Sequence, residues 1–214
     1  MKPLKTLLCR VAMLVAVSMA AVAVLAAAEP EATPTIGLRT AESFADIFSS
    51  EERSTALFGE AMKVIASPRC MNCHPATRTP TQGEDSHPHV PLMDATDSGH
   101  GPAGLACTTC HGAENVLTYS DSIVSVPGHA HWGLAPAAMA WQGMTPGAIC
   151  AQIKDPGRNG DRTLAEIHEH MAKDTLVGWA WNPGPGRTPA PGTQAGFGEL
   201  IAAWIATGAA CPSG

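Results

Sequence analysis

Cys70-Met71-Asn72-Cys73-His74 and Cys107-Thr108-Thr109-Cys110-His111 are two copies of one pattern, Cys-x-x-Cys-His, in a chain of 214 residues. The pattern is typical of covalent haem attachment, in which two thiols bond the haem and the adjacent imidazole binds its iron. The sequence therefore predicts two haem c groups as cofactors. The thioether cysteines would be Cys70, Cys73, Cys107 and Cys110, and the proximal iron ligands would be His74 and His111.

A zinc site built from the same four cysteines is the alternative interpretation. Thirty-three residues separate Cys73 from Cys107, which is longer than the interval in common zinc ribbons. Zinc would also leave the two histidines that follow the cysteines without a role. The pattern therefore favours haem over zinc.

The first 28 residues have the features of a secretory signal peptide. Three basic residues precede an apolar run from Val11 to Ala28, and Ala26-Ala27-Ala28 offers a small-residue cleavage site. Because the run has 18 residues, a retained membrane anchor stays an alternative. Export would place the chain in the periplasm. Residues 29–39, rich in Pro, Ala and Glu, are predicted to be a disordered leader, and residues 40–214 a dihaem cytochrome c domain.

The net charge of residues 29–214 indicates which kind of partner the exported protein would bind. Without residues 1–28, ten basic and 19 acidic residues remain, a net charge of −9. An acidic surface argues against nucleic acid and suits a protein partner with a basic patch. We therefore expect electron donor and acceptor proteins as partners. Membrane contact is expected only if the signal segment is retained.

The cysteines that remain after haem attachment form one pair. Of seven cysteines, Cys9 lies in the signal segment and four lie in the two strings, which leaves Cys150 and Cys211. In an oxidising compartment an even remainder predicts a disulfide. Two buried free thiols are the alternative.

Periodicity and capping patterns predict a mostly α fold, with short helices, long haem-wrapped loops and little or no β structure. An apolar stripe that includes Leu57, Phe58 and Ile65 predicts a helix that ends at Ser67-Pro68. Capping residues predict further helices over 40–48, 145–155, 163–174 and 193–208. The segments 75–104 and 126–144 show no helical or strand period, and we expect the haems to organise them.

The ligand on the opposite face of each iron decides the chemistry, because an open position permits small-molecule reactions and a closed one favours electron transfer. Histidines in loops without an apolar period are difficult to explain as core residues. His89 and His131 are therefore the predicted distal ligands, although solvated loop histidines are the alternative. The reserve candidates are Met139, His170 and His87.

Several segments beyond the two strings resemble a family of exported dihaem cytochromes that is often labelled as a subunit of isoquinoline 1-oxidoreductase. The resemblance covers nearly all of residues 58–212. It rests on Met71-Asn72-Cys73-His74-Pro75, His87-Pro88-His89, Leu134-Ala135-Pro136, Met139-Ala140-Trp141, Lys154-Asp155-Pro156-Gly157-Arg158-Asn159-Gly160, Glu169-His170-Met171, Val177-Gly178-Trp179 and Pro189-Ala190-Pro191-Gly192-Thr193-Gln194. The label implies a cytochrome that accepts electrons from a molybdenum and iron–sulfur hydroxylase.

The interval between the two strings is also similar to the small dihaem subunit of periplasmic nitrate reductase. In that family both irons have two histidine ligands, which favours His89 as a distal ligand. This second resemblance covers only residues 70–111.

The sequence thus predicts a periplasmic protein that passes single electrons between a dehydrogenase, for which a molybdenum hydroxylase is one candidate, and the respiratory chain. Such a role requires no catalytic residue and no enzymatic activity of its own. The alternative is a dihaem enzyme of the peroxidase type with one open haem, in which His170 works with Glu166 or Glu169. A haem-based sensor is a third class, although no output domain is evident.

Overall fold

Two helices from opposite ends of the chain form the core of the protein. The computed structural model describes residues 37–213, so the predicted signal peptide and residues 29–36 of the leader lie outside the described residues. The α-helices are α1 (Ser50–Ile65), α2 (Pro68–Met71), α3 (Pro146–Lys154), α4 (Pro156–Asn159), α5 (Leu164–Lys173), α6 (Thr175–Gly178) and α7 (Gln194–Ala206). Helix α7 packs against both α1 and α5.

Short 3-10 helices and two small ladders complete the described structure. The 3-10 helices are Ala41–Phe44, Cys107–Thr109, Ala137–Met139 and Trp179–Trp181. Strand β1 (Thr81–Gln82) pairs antiparallel with β2 (His87–Pro88), and β3 (Val116–Leu117) pairs antiparallel with β4 (Ser125–Val126). The prediction of a mostly α fold with little β structure is confirmed.

Local capping explains where the main helices begin. The hydroxyl of Ser49 accepts from the amide of Glu52 at the start of α1, and that of Thr193 accepts from Gly196 at the start of α7. Thr163 and Glu166 form a capping box at the start of α5. Each cap satisfies amides that the first helical turn leaves unpaired. The predicted helices over 145–155, 163–174 and 193–208 are confirmed to within two residues at each end.

The apolar faces of α1 and α7 meet around a fully buried tryptophan. The ring of Trp204 lies 5.1 Å from that of Phe58, measured between centroids. The opposite side of α7 approaches α5 so closely that a Cβ added at Gly198 would lie 2.6 Å from the Cβ of Ala172. A glycine at this position therefore permits the α5–α7 crossing that places His170.

The C-terminal tail is attached to the core by a disulfide and by hydrogen bonds. Cys150 on α3 is bonded to Cys211, with 5.6 Å between the two Cα atoms, which confirms the predicted pair. The Trp204 indole donates to the carbonyl of Ala210, whose amide donates to the hydroxyl of Ser54. The tail thus joins α1, α3 and α7.

The N-terminal boundary and first helix differ from the prediction. Only Ala41–Phe44 is helical within 40–48, because the Thr40 side chain forms no capping bond and Phe48 is 99% exposed. Leu38 packs against the core, and the amide of Arg39 donates to the buried carboxylate of Glu60. The ordered fold therefore includes residues 38 and 39, which the sequence assigned to the leader. In the part described here, no helix is long and apolar enough to cross a membrane.

Replacing both Cys150 and Cys211 by alanine should lower the free energy of unfolding by about 4 kcal/mol, because the disulfide closes a long loop and restricts the unfolded chain. Urea denaturation followed by circular dichroism measures this loss. The double variant should not respond to dithiothreitol, whereas the native protein should lose stability on reduction. Equal unfolding midpoints for the oxidised native protein and the double variant would contradict the prediction.

Candidate haem-attachment sites

The two Cys-x-x-Cys-His strings are connected through two backbone segments that lie between them, 99–100 and 134–135. The amide of Ala135 donates to the carbonyl of Cys73 at 3.1 Å, and the amide of Leu134 donates to the carbonyl of Gly99 at 2.8 Å. The carbonyl of His100 accepts from the amide of Cys107 at 2.8 Å. A continuous backbone network therefore connects the first string to the second.

The imidazole of His74 is held on two sides. Its Nδ1 lies 2.7 Å from the carbonyl oxygen of Met139, and its ring stacks on Trp141 with 3.5 Å between centroids and 2° between planes. A carbonyl oxygen can only accept, so Nδ1 carries the proton and Nε2 keeps its lone pair. This tautomer is the one that an Nε2-bound metal ligand requires.

Helix α3 supplies the group that fixes this arrangement. The fully buried side-chain amide of Gln152 accepts from the Trp141 indole and donates to the carbonyls of Ala138 and Ala140. The segment that contacts His74 is thereby attached to the helix that carries the disulfide. Sequence reasoning missed Gln152, although a glutamine between Ile149 and Ile153 on the apolar face of a helix is a signal of a buried polar network.

The imidazole of His111 repeats the arrangement with different residues. Its Nδ1 lies 2.7 Å from the carbonyl oxygen of Pro127, so this ring also presents a free Nε2. Its ring stacks on Trp132 at 4.8 Å with 17° between planes. Trp132 in turn meets Trp179 edge to face at 4.9 Å.

A side-chain amide also fixes the second site. The side-chain oxygen of Asn115, Oδ1, accepts from the Trp179 indole and from the backbone amide of Gly128, which follows Pro127. A Cβ at Gly128 would lie 2.1 Å from the carbonyl oxygen of Glu114, so only glycine fits here. Asn115 thus has the role at His111 that Gln152 has at His74, and sequence reasoning did not identify it either.

The electrostatic surroundings keep both imidazoles neutral at neutral pH. Burial lowers the pKa of His74 to about 4, despite the opposing bond to Met139. Burial also lowers the pKa of His111, and the charges of His89 and Arg187 add to the effect. A neutral imidazole is the form that binds a metal.

The attachment cysteines differ in exposure between the two sites. Burial raises the pKa of Cys70 to about 12 and that of Cys73 to about 11. In the second string Cys107 is partly buried, and Cys110 is exposed. By surface area Cys70 and Cys73 are also only partly buried, so the two strings differ chiefly at Cys110, the one exposed thiol among the four.

His89, a predicted distal ligand, lies beside His111. The centroids of the two rings are 5.8 Å apart, close to the separation of about 6 Å expected for two imidazoles whose nitrogens each lie about 2 Å from one shared metal. The Nδ1 of His89 lies 2.8 Å from the carbonyl oxygen of Pro91. Its Nε2 has no hydrogen-bond partner within residues 37–213.

His170, a reserve candidate, acts electrostatically on the first site. Its Nδ1 lies 3.3 Å from a carboxylate oxygen of Asp174, and its Nε2 makes no hydrogen bond in the described part of the chain. Burial lowers the pKa of His170. The charge of His170 in turn lowers the pKa of His74, so the two imidazoles are electrostatic neighbours.

Three other candidates are placed less favourably. Both ring nitrogens of His87 are engaged, by Asp85 at 2.6 Å and by Gln82 at 3.2 Å. The Met139 side chain is buried in the core, and its carbonyl binds the Nδ1 side of His74, away from Nε2. His131 is exposed, and its ring lies 5.8 Å from that of His129.

The four cysteines of the strings do not converge. They are free thiols, and no group of three or more His, Cys, Asp or Glu among residues 37–213 is arranged to hold a metal ion. A tetrahedral zinc site needs such a group, so the arrangement disfavours the zinc interpretation.

Comparison with protein-family models, curated proteins and solved structures gave no match for this chain. The case for function therefore rests on the chemistry and geometry of the two sites.

Replacing Gln152 by methionine should destabilise the protein by about 2–3 kcal/mol, because one indole and two carbonyls lose their buried partner. Urea denaturation followed by circular dichroism measures the change. Ala151→Ser, at the exposed neighbouring position, is the control and should change stability by less than about 0.5 kcal/mol. A loss in Gln152→Met no larger than in the control would refute the role of this amide.

Proposed function

We propose that this protein transfers single electrons through two covalently attached haem c groups, each bound by two histidines. The observation that carries the proposal is a shared feature of four imidazoles. His74, His89 and His111 each have Nδ1 hydrogen-bonded to a backbone carbonyl, and the Nδ1 of His170 lies 3.3 Å from a carboxylate oxygen of Asp174. In all four rings Nε2 is free of hydrogen bonds among the described residues. Four such imidazoles are the number that two six-coordinate irons require.

The residues of each string fit the group that they would hold. Cys70 and Cys73 would bind one haem, with His74 as the proximal ligand, and Cys107 and Cys110 the other, with His111 as the proximal ligand. The carbonyls of Met139 and Pro127 fix the two proximal rings and increase their basicity. Stacking on Trp141 and Trp132 restricts the rotation of those rings.

His170 and His89 would close the distal positions. His89 is the neighbour of His111, and His170 is the electrostatic neighbour of His74. This assignment keeps the sequence-based prediction for His89 and replaces His131 by His170. Asp174 orients His170, and the carbonyl of Pro91 orients His89.

A haem bound in this way supplies an iron that accepts and releases one electron without exchanging ligands. The chain contributes fixed ligands, water exclusion and proximity, since only two backbone segments separate the strings. No step needs a general acid or base.

Exchange with other proteins would take place at the second site. Cys110 is exposed, whereas Cys70, Cys73 and Cys107 are each only partly exposed. We further propose that the protein acts in the periplasm, between a dehydrogenase and the respiratory chain. The sequence features of residues 1–28 and the acidic charge support this location and a basic partner surface.

A peroxidase-type enzyme would need one open iron position. The charge of His170, which that mechanism would use as a catalytic group, acts on His74, and its Nδ1 lies 3.3 Å from a carboxylate oxygen of Asp174. A carboxylate at Nδ1 and a free Nε2 suit a metal ligand and a general base alike, so the spin state of the native haems separates the two functions.

Haem attachment can be tested one string at a time. The variants Cys70→Ala/Cys73→Ala and Cys107→Ala/Cys110→Ala should each retain one covalent haem, because each string holds its own group. The mass of the purified protein and its pyridine haemochrome spectrum give the haem count. Cys150→Ala/Cys211→Ala is the control and should keep two haems. Absence of covalent haem from native protein that has been exported with its maturation machinery would disprove the proposal.

The distal ligands can be tested by spectroscopy. His170→Ala and His89→Ala should each convert one haem from low spin to high spin and open it to carbon monoxide, because each removes one axial ligand. Electron paramagnetic resonance and optical spectra measure the change. His131→Ala is the matched control and should leave both haems low spin. A high-spin haem in the native protein, or a spin change only in His131→Ala, would refute the assignment.

A further inference from the structure

The turn that carries the first attachment string also carries a buried positive charge. The side chain of Arg69 is only 3% exposed and lies four residues before Cys73 in a helical turn, so the two share a face. The charge of Arg69 acts on both Cys70 and Cys73. A fixed cation therefore lies beside the cysteines that would hold the first haem.

This charge is only partly neutralised. One Arg69 nitrogen, Nη2, lies 2.8 Å from a carboxylate oxygen of Glu84 and 3.4 Å from the carbonyl oxygen of Gly83. Its Nε is buried without a partner among the described residues. Glu84 is 52% exposed and also accepts from the amide of Thr188, so water weakens its attraction for the guanidinium.

A second arginine adds to the positive potential. Arg187 donates to the side chain and the carbonyl of Ser125. Burial lowers the pKa of Arg187, the charge of Arg69 lowers it further, and Glu84 opposes both effects. Two cations and one carboxylate thus form a cluster with one net positive charge, in a chain whose overall charge is negative.

We propose that Arg69 sets the reduction potential of the haem at Cys70 and Cys73, and that Glu84 moderates its effect. This inference rests on the proposed function. Oxidation leaves one more positive charge at the iron, so a nearby cation favours the reduced state and raises the potential. Arg69 is thus a positioning residue that acts through its charge. It makes the first site the stronger electron acceptor and directs electrons there from the second site, where Cys110 is exposed.

Spectroelectrochemical titration of the dihaem protein tests the proposal with two variants of opposite expected sign. The native protein should show two one-electron components, and His170→Ala identifies the component of the first haem. In Arg69→Met the reduction potential of this component should fall by at least 59 mV, which is a tenfold change in equilibrium constant for a one-electron couple. In Glu84→Gln the reduction potential of the same component should rise, by a smaller amount than it falls in Arg69→Met, because Glu84 is half-exposed.

A merely structural role would not give shifts of opposite sign. Arg158→Met is the control, because Arg158 is exposed and makes no side-chain bond in the part of the chain described; both components should stay unchanged. In protein that carries both haems, the inference is overturned if the reduction potential of the first component is unchanged in Arg69→Met, or if it shifts in the same direction in both variants. If Arg69→Met does not fold, Glu84→Gln decides alone, and no upward shift refutes the role. A native protein without haem would instead refute the proposed function and this inference with it.

Discussion

The hydrogen bond from an imidazole Nδ1 to a backbone carbonyl is the interaction on which both candidate sites depend. It joins His74 to Met139 and His111 to Pro127, at 2.7 Å in each case. Each bond fixes the tautomer, the rotation of the ring and the direction of Nε2. Because a carbonyl has a fixed position only when its own segment is fixed, the rest of the fold serves to hold those two segments.

Amide side chains hold these two segments. Gln152 attaches the Met139 segment to α3, and Asn115 connects the Pro127 segment to Trp179. Helix α3 is joined through Cys150 to the C-terminal tail, whose Ala210 amide donates to Ser54 on α1. Polar contacts therefore order the loops around the strings, and the helices supply most of the apolar burial that stabilises the fold, with Met139 and Trp141 adding to it from outside the α-helices.

Sequence patterns predicted much of this organisation because they reflect local physical chemistry. Caps at Thr145, Thr163 and Thr193 indicated three helices, since a side-chain oxygen must satisfy the first amides of a helix. The even cysteine remainder indicated the bond between Cys150 and Cys211. The short helix near residue 40 was overestimated, because Thr40 has the residue type of a cap without its hydrogen bond.

The sequence by itself determined the chemistry of the proposed cofactor sites, because two thiols and an imidazole at fixed spacing are a local property of the chain. It also determined the mostly α class and the disulfide. Only the tertiary structure shows which distant imidazoles neighbour the strings: His89 lies beside His111, and the charge of His170 acts on His74. The reason is physical: loop histidines carry no periodic signal, and their positions follow from long-range contacts such as the α5–α7 crossing at Gly198.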